Sequence, residues 1–263
     1  METACVSVPY IDTHCHLFML EHAPLEEILE RAKQAQIVKM VSVSTDEGSW
    51  ESNRNFAAKY PQVYYTLGMH PHEAKHWAEC APTIHQAFEN GVPEKCVGIG
   101  EIGLDFHYYL SPREIQLDVL VAQLELAKRV KLPIVIHCRD SFDILYEQIR
   151  NIGLSDRGGV MHCFTGNPNQ AKDALDLGLV ISFSGIVTFK KADTLRAAAK
   201  MVPLSSIVIE TDCPFLAPIP LRGKPNEPAF LAHTGKFLAE WLGVSEEKFA
   251  QTTTENATRL FEL

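Results

Sequence analysis

The chain has 263 residues, 46% apolar and 22% charged, a composition that excludes disorder and allows a substantial core. A net charge of −9 excludes a wholly basic nucleic-acid-binding surface, but not a local cationic site whose charge comes from bound metal. The longest apolar stretch, residues 175–189, is broken by Asp176, two glycines and two serines, and is too short to span a bilayer.

Val6, Val8 and Tyr10 alternate with other residues and predict a first strand that runs into Ile11-Asp12-Thr13-His14-Cys15-His16. Residues 25–36 have apolar positions at helical spacing, residues 37–43 predict a second strand, and residues 50–60 predict a helix stopped by Pro61. A third strand, 63–67, ends in Gly68-Met69-His70-Pro71-His72, and a looser helix is expected at 81–90. The fourth strand, 95–99, runs into Gly100-Glu101-Ile102-Gly103-Leu104-Asp105, and residues 112–130 form the clearest helix, with proline in its first turn. Strand 133–136, helix 142–151, strand 159–161, helix 168–177 and strand 179–183 follow. A helix near 192–201, strand 207–209 and closing helices from 228 to the end complete the pattern. Eight short strands, apolar on both faces and alternating with helices, predict an α/β fold: a single-domain (β/α)8 barrel over residues 1–263, with allowance for distortion. A doubly wound open sheet competes, but no glycine fingerprint follows the first strand.

Metal-binding side chains gather at the predicted strand ends. Residues two apart on a strand share a face, so Asp12, His14 and His16 point together. His14 and His16 end strand one, Glu101 strand four, His137 strand five, His162 strand six and Asp212 strand eight. A barrel brings the carboxyl ends of its strands to one rim. One histidine closing a strand is ordinarily structural; six such residues after apolar strands are hard to obtain without a site. Six donors exceed one tetrahedral zinc and suit two cations about 3.5–4 Å apart, with Glu101 as the natural bridge. Four imidazoles favour zinc, manganese or iron-type ions over magnesium. Cys15, Cys138, Cys163 and Cys213 adjoin these residues, but alternation points them toward the helix layer as small hydrophobes. Asp12, one pleat deeper than His14, is expected behind the ligands or in the barrel interior. Seven unpaired-looking cysteines and a start without a basic, apolar leader predict a cytoplasmic protein with no membrane association.

The stretches Ile-Asp-Thr-His-Cys-His at 11–16, Gly-Ile-Gly-Glu-Ile-Gly-Leu-Asp at 98–105 and Pro-Ile-Val-Ile-His-Cys-Arg-Asp at 133–140 resemble TatD-family nuclease motifs. Met-His-Cys-Phe-Thr-Gly at 161–166 and Ile-Glu-Thr-Asp-Cys-Pro-Phe-Leu-Ala-Pro at 209–218 do so too, in the family's order. The resemblance implies a metal-dependent deoxyribonuclease on an amidohydrolase-like barrel. It implies one cation on His14, His16 and Asp212 and another on His137 and His162, with Glu101 bridging. It assigns His70 to a substrate phosphate and adds substrate contacts from Arg139 and Arg222, with His72 a neighbour or a bystander. It also implies magnesium-dependent activity, so the identity of the two divalent cations (magnesium, manganese or zinc) stays open.

The expected reaction is hydrolysis of DNA phosphodiesters, exonucleolytic and favouring single strands, with RNA or tRNA as further substrates. Glu101 and Asp212 are the expected catalytic carboxylates, Asp212 taking the proton of the nucleophile. A hydrolase of the same superfamily acting on a small molecule, or on an aminoacyl-tRNA ester, competes. Many such enzymes bridge their metals through a modified lysine where this chain has Glu101. A silent scaffold would have lost ligands, and all six are present. No obligate protein partner is evident, and a monomer or weak oligomer is expected.

Overall fold

The computed structural model describes residues 9–263; Val6 and Val8, assigned above to the first strand, lie outside them. Eight strands form: β1 (Tyr10–Cys15), β2 (Ile37–Ser42), β3 (Val63–Leu67), β4 (Cys96–Asp105), β5 (Ile134–Arg139), β6 (Gly159–Met161), β7 (Leu179–Phe183) and β8 (Ile207–Ile209). The helices among the described residues are α1 (Leu25–Gln34), α2 (Glu47–Lys59), α3 (Trp77–Ala87), α4 (Arg113–Val130), α5 (Phe142–Ile152), α6 (Pro168–Asp176), α7 (Asp193–Met201), α8 (Leu231–Leu242) and α9 (Glu246–Phe261). Each strand pairs in parallel with the next, from β1 to β8, giving the barrel the sequence predicts. No described helix is long and apolar enough to cross a membrane.

Inside the barrel, Ile11, Val41, Val43, Val97, Val135, Val160 and Val208 form one apolar cluster with Leu260 and Phe261 of α9. Branched side chains fill a narrow parallel barrel in this way, and α9 closes the end where the strands begin. The larger apolar cluster lies between strands and helices.

Among the described residues β8 and β1 form no paired ladder. The seam is closed instead by Thr13 Oγ1 donating to the Ile209 carbonyl (2.9 Å) and by Asp12 accepting from Thr211 N–H (2.9 Å) and Thr211 Oγ1 (2.6 Å). Two backbone bonds, Asp212 N–H to His14 O and His16 N–H to Cys213 O, both 2.9 Å, extend the closure toward the rim. Distortion is found at this seam and at register shifts within the sheet. Ile11 fills the barrel, and the shift in β1 between Asp12 and Cys15 leaves the Asp12 carboxylate beside Cys15 and Cys213, behind the rim rather than on the face shared by His14 and His16.

Several boundaries differ from the sequence expectation; β5 runs on to Arg139, so His137 lies within the strand rather than at its end. α2 begins at Glu47, because Asp46 and Ser49 form a capping box with a 2.8 Å bond from Ser49 N–H. α3 begins at Trp77 with Pro82 inside it; burial of Cys80 and Ile84 outweighs the bond that proline cannot donate. Most important, β4 continues to Asp105, so Glu101 lies within the strand rather than at its end. Its glycines are sites of close approach, not strand terminators. A Cβ on Gly100 would sit 2.6 Å from Val135 Cβ, and one on Gly103, at φ +145°, would collide with the His137 carbonyl. Against β5, Ile99 pairs with Ile134 and Ile102 with Ile136, so β4 carries one extra residue, a bulge at Gly100-Glu101.

The segment after β8 is pinned by Glu227, which is buried and accepts from Arg31 Nε (2.8 Å) and Nη2 (2.6 Å), with His22 Nε2 at 3.0 Å. Burial alone would raise the Glu227 pKa, but Arg31 and His22 hold it below the usual 4.5. We expect Glu227→Gln to lower stability by about 1–3 kcal/mol at neutral pH. Because the folded pKa is depressed, that contribution is present above pH 4.5 and is lost as the pH falls below it. Denaturant titrations of both proteins at stepped pH should show the gap closing in acid.

Candidate metal centre

His14 lies in β1 and His16 just beyond it, on the same face, with their Nε2 atoms 3.2 Å apart. Two nitrogens about 2.0–2.1 Å from a common tetrahedral ion lie about 3.4 Å apart, so the pair fits one. The β4 bulge brings Glu101 to the centre of the rim. Its Oε2 is 3.3 Å from His14 Nε2 and 3.8 Å from His16 Nε2. Its Oε1 is 3.0 Å from His137 Nδ1, 3.1 Å from His162 Nε2 and 3.4 Å from His70 Nε2. Asp212 stands three residues beyond β8, at φ +56°, a left-handed turn that aspartate tolerates. Its Oδ1 is 3.4 Å from His16 Nε2 and 3.8 Å from His14 Nε2. All six residues expected as ligands thus converge.

The outward nitrogens are mostly held. His16 Nδ1 lies 3.0 Å from the Val43 carbonyl, His162 Nδ1 3.0 Å from Glu210 Oε1, and His137 Nε2 3.1 Å from Asp105 Oδ2. A proton kept on the outward nitrogen leaves the inward lone pair free for a cation. The His14 ring stacks on His162 with centroids 3.7 Å apart, and its buried Nδ1 has no partner among the described residues. Glu210 also accepts from Cys163 N–H (2.8 Å) and Ser182 Oγ (2.5 Å), while Asp105 accepts from His72 Nε2 at 2.9 Å. His72 is therefore a neighbour of the site. Sequence reasoning gave Glu210 and Asp105 no role. Glu210 lies just past β8 and Asp212 sits in a left-handed turn, so strand alternation gives no signal that links them.

Burial pushes the Glu101 carboxyl pKa up, yet the surrounding imidazoles, His162 first among them, and the His137 bond bring it well below the carboxylate range. Asp212 follows the same balance: burial raises it, and His16, His162 and His14 bring it below its ordinary value. For His70, burial dominates and lowers the pKa to about 4, so the ring is neutral. His70 Nδ1 accepts from His72 N–H at 3.1 Å, which puts its proton on Nε2.

A cavity of about 1350 Å³ opens over these groups, lined by His16, His70, His72, Glu101, His137, His162 and Asp212. Arg139 lines it and is exposed. Arg222 does not: it borders an adjoining cavity of about 440 Å³, its guanidinium 4.1 Å from the Phe189 ring centroid. Cys15 and Cys213 are packed in the core as expected, but half-buried Cys138 and Cys163 reach the cavity wall. Cys163 has φ +42°, so regular alternation no longer governs it. Burial pushes the Cys138 thiol up to about 12 and Cys163 well above its ordinary value, which keeps both protonated and poor ligands.

A parallel eight-stranded barrel with imidazoles and carboxylates massed at its carboxyl rim is the architecture of a metal-dependent hydrolase. Residues 11–262 match the family model described as TatD related DNase. The chain is 39% identical over 253 residues to the metal-dependent hydrolase YabD of Bacillus subtilis, covering 96% of this chain and 98% of that one. It is 37% identical over 245 residues to a Rahnella protein named 3'-5' ssDNA/RNA exonuclease TatD, covering 90% and 92% of the two chains. The crystal structure of the TatD homologue YjjV from Escherichia coli superposes with a TM-score of 0.91 at 32% identity, covering 98% and 99% of the two chains. This chain belongs to the TatD family and is a metal-dependent hydrolase.

Glu210→Gln removes the anion that orients His162 while keeping the side-chain shape. We expect metal affinity to fall about 10–100-fold with the far-UV circular dichroism unchanged, measured by competition with a chromophoric chelator.

Proposed function

We propose that this chain is a metal-dependent exonuclease for single-stranded DNA or RNA, using two divalent cations bridged by Glu101. The observation that carries this reading is the division of the carboxylate: Oε2 faces His14 and His16, whereas Oε1 faces His137 and His162. One cation would rest on His14, His16 and Asp212, the other on His137 and His162. Charge supports the same number. Glu101, Asp105, Glu210 and Asp212 are buried carboxylates whose salt bridges, among the described residues, come from imidazoles alone. Two divalent ions balance four carboxylates and leave the imidazoles neutral, the form that donates a lone pair. A donor set rich in imidazole favours zinc or manganese over magnesium.

Cations bound there supply Lewis acidity, lowering the pKa of water and neutralising phosphate charge. Asp212, ionised at neutral pH, offers its carboxylate at the cavity wall to take the proton of the attacking water. His70 presents a neutral Nε2–H as donor to a phosphate oxygen, and Arg139 adds a permanent positive charge at the rim. Arg222, bordering the adjoining cavity, reaches a more distant part of a long substrate. Nucleic acid as substrate, and 3'-to-5' polarity, follow the Rahnella relative's name. The cavity, at about 1350 Å³, exceeds the roughly 300–1,000 Å³ of small-ligand pockets and favours a polymer over a small molecule.

End-labelled single- and double-stranded DNA, incubated with chelator-stripped enzyme and returned metal, tests the reading. Single strands should shorten from the 3' end, with manganese or zinc restoring activity at lower concentration than magnesium. Glu101→Ala should cost at least about a thousandfold in rate, since metal charge stabilisation is worth several kcal/mol. Near-normal turnover by that variant would overturn the bridging role.

A further inference from the structure

Several large apolar side chains are exposed, among them Tyr108, Tyr109 and Leu110 in the segment between β4 and α4. Of these three, Tyr108 lines the cavity over Glu101 and Asp212. It is 55% exposed, although apolar surface facing a cavity of this kind is ordinarily kept for a ligand.

The ring is braced rather than loose. His72 meets it edge to face with centroids 5.6 Å apart, and His107 does so at 4.7 Å. The Arg139 guanidinium lies 5.3 Å from the ring centroid, within cation–π range. Below the ring, Tyr108 N–H donates to Asp105 Oδ1 at 2.9 Å, and the other oxygen of that carboxylate is 3.1 Å from His137 Nε2. One buried carboxylate thus sets the position of both the aromatic ring and an imidazole facing Glu101.

We propose that Tyr108, with Arg139 beside it, is a stacking platform for one unpaired nucleobase next to the scissile phosphate, and selects single strands over duplex. This rests on the nuclease reading above. A base within a duplex is already stacked and paired, so it reaches the ring only after being flipped out; a single-stranded base does so directly. Stacking on an aromatic face is tolerant of sequence, because every base has such a face. Arg139 reinforces the ring and places its charge where the phosphate of the same nucleotide lies.

The test uses full-length, metal-loaded enzyme, Tyr108→Ala and Tyr108→Phe, and a labelled single-stranded oligonucleotide. The same strand is also made with an abasic sugar at each of the two terminal nucleotides in turn. Tyr108→Ala should raise KM on the intact strand about 5- to 150-fold, with the loss in KM rather than kcat. Tyr108→Phe should keep the wild-type KM, because the ring and not the hydroxyl makes the contact. One abasic position should penalise the wild type by a similar factor and add little to the Ala variant. An Ala variant with wild-type KM, a Phe variant as impaired as Ala, or equal losses on intact and abasic strands would overturn the platform. Failure of the wild type to cleave any single strand with any returned metal would overturn the nuclease reading itself, and with it this proposal, before any variant is compared.

Discussion

A carboxylate shut away from water is stable only where positive charge or hydrogen-bond donors reach it, and Glu101 is 3% exposed. Leaving it ionised and unpaired would cost several kcal/mol. Five imidazoles, from β1, the β3–β4 connection, β5 and the end of β6, answer that requirement within 3.8 Å. None of them is near Glu101 in the chain. Only closure of the barrel brings them together, so fold and site are one constraint seen at two scales.

The β4 bulge and the β8–β1 seam carry that constraint. The bulge turns Glu101 inward, and it needs glycine at 100 and 103, where β5 leaves no room for a Cβ. At the seam, Asp12 binds Thr211, and the adjoining backbone bonds set His14 and His16 against Asp212. Strands β1, β4 and β5 hold His14, Glu101 and His137, and His16 and His162 stand one residue past β1 and β6, while the connections that follow β4 and β8 carry Tyr108 and Arg222. That division suits an enzyme whose metal chemistry needs fixed geometry and whose substrate contacts need variety.

Much of this was legible in the sequence. Strands β6, β7 and β8 fall where their apolar runs place them, and two-residue alternation was enough to pair His14 with His16. The end of β4 is not legible in the sequence because glycine signals both a break and a close approach, and only the neighbouring strand tells the two apart. Glu210 and Asp105 went unassigned for a related reason. Their role is to hold the outer nitrogens of His162 and His137, a relation of distance that no spacing along the chain encodes. Arg222 shows the converse: the family resemblance makes it a substrate contact, and only the structure shows that the turn after β8 sets it beside the adjoining cavity.

In the proposed site Glu101 joins two cations, one on each carboxylate oxygen. Anomalous diffraction from crystals equilibrated with manganese tests it most directly. Two peaks are expected, one among His14, His16 and Asp212 and the other among His137 and His162, with Glu101 between them. A single peak at full occupancy, or two peaks of which neither touches Glu101, would contradict it.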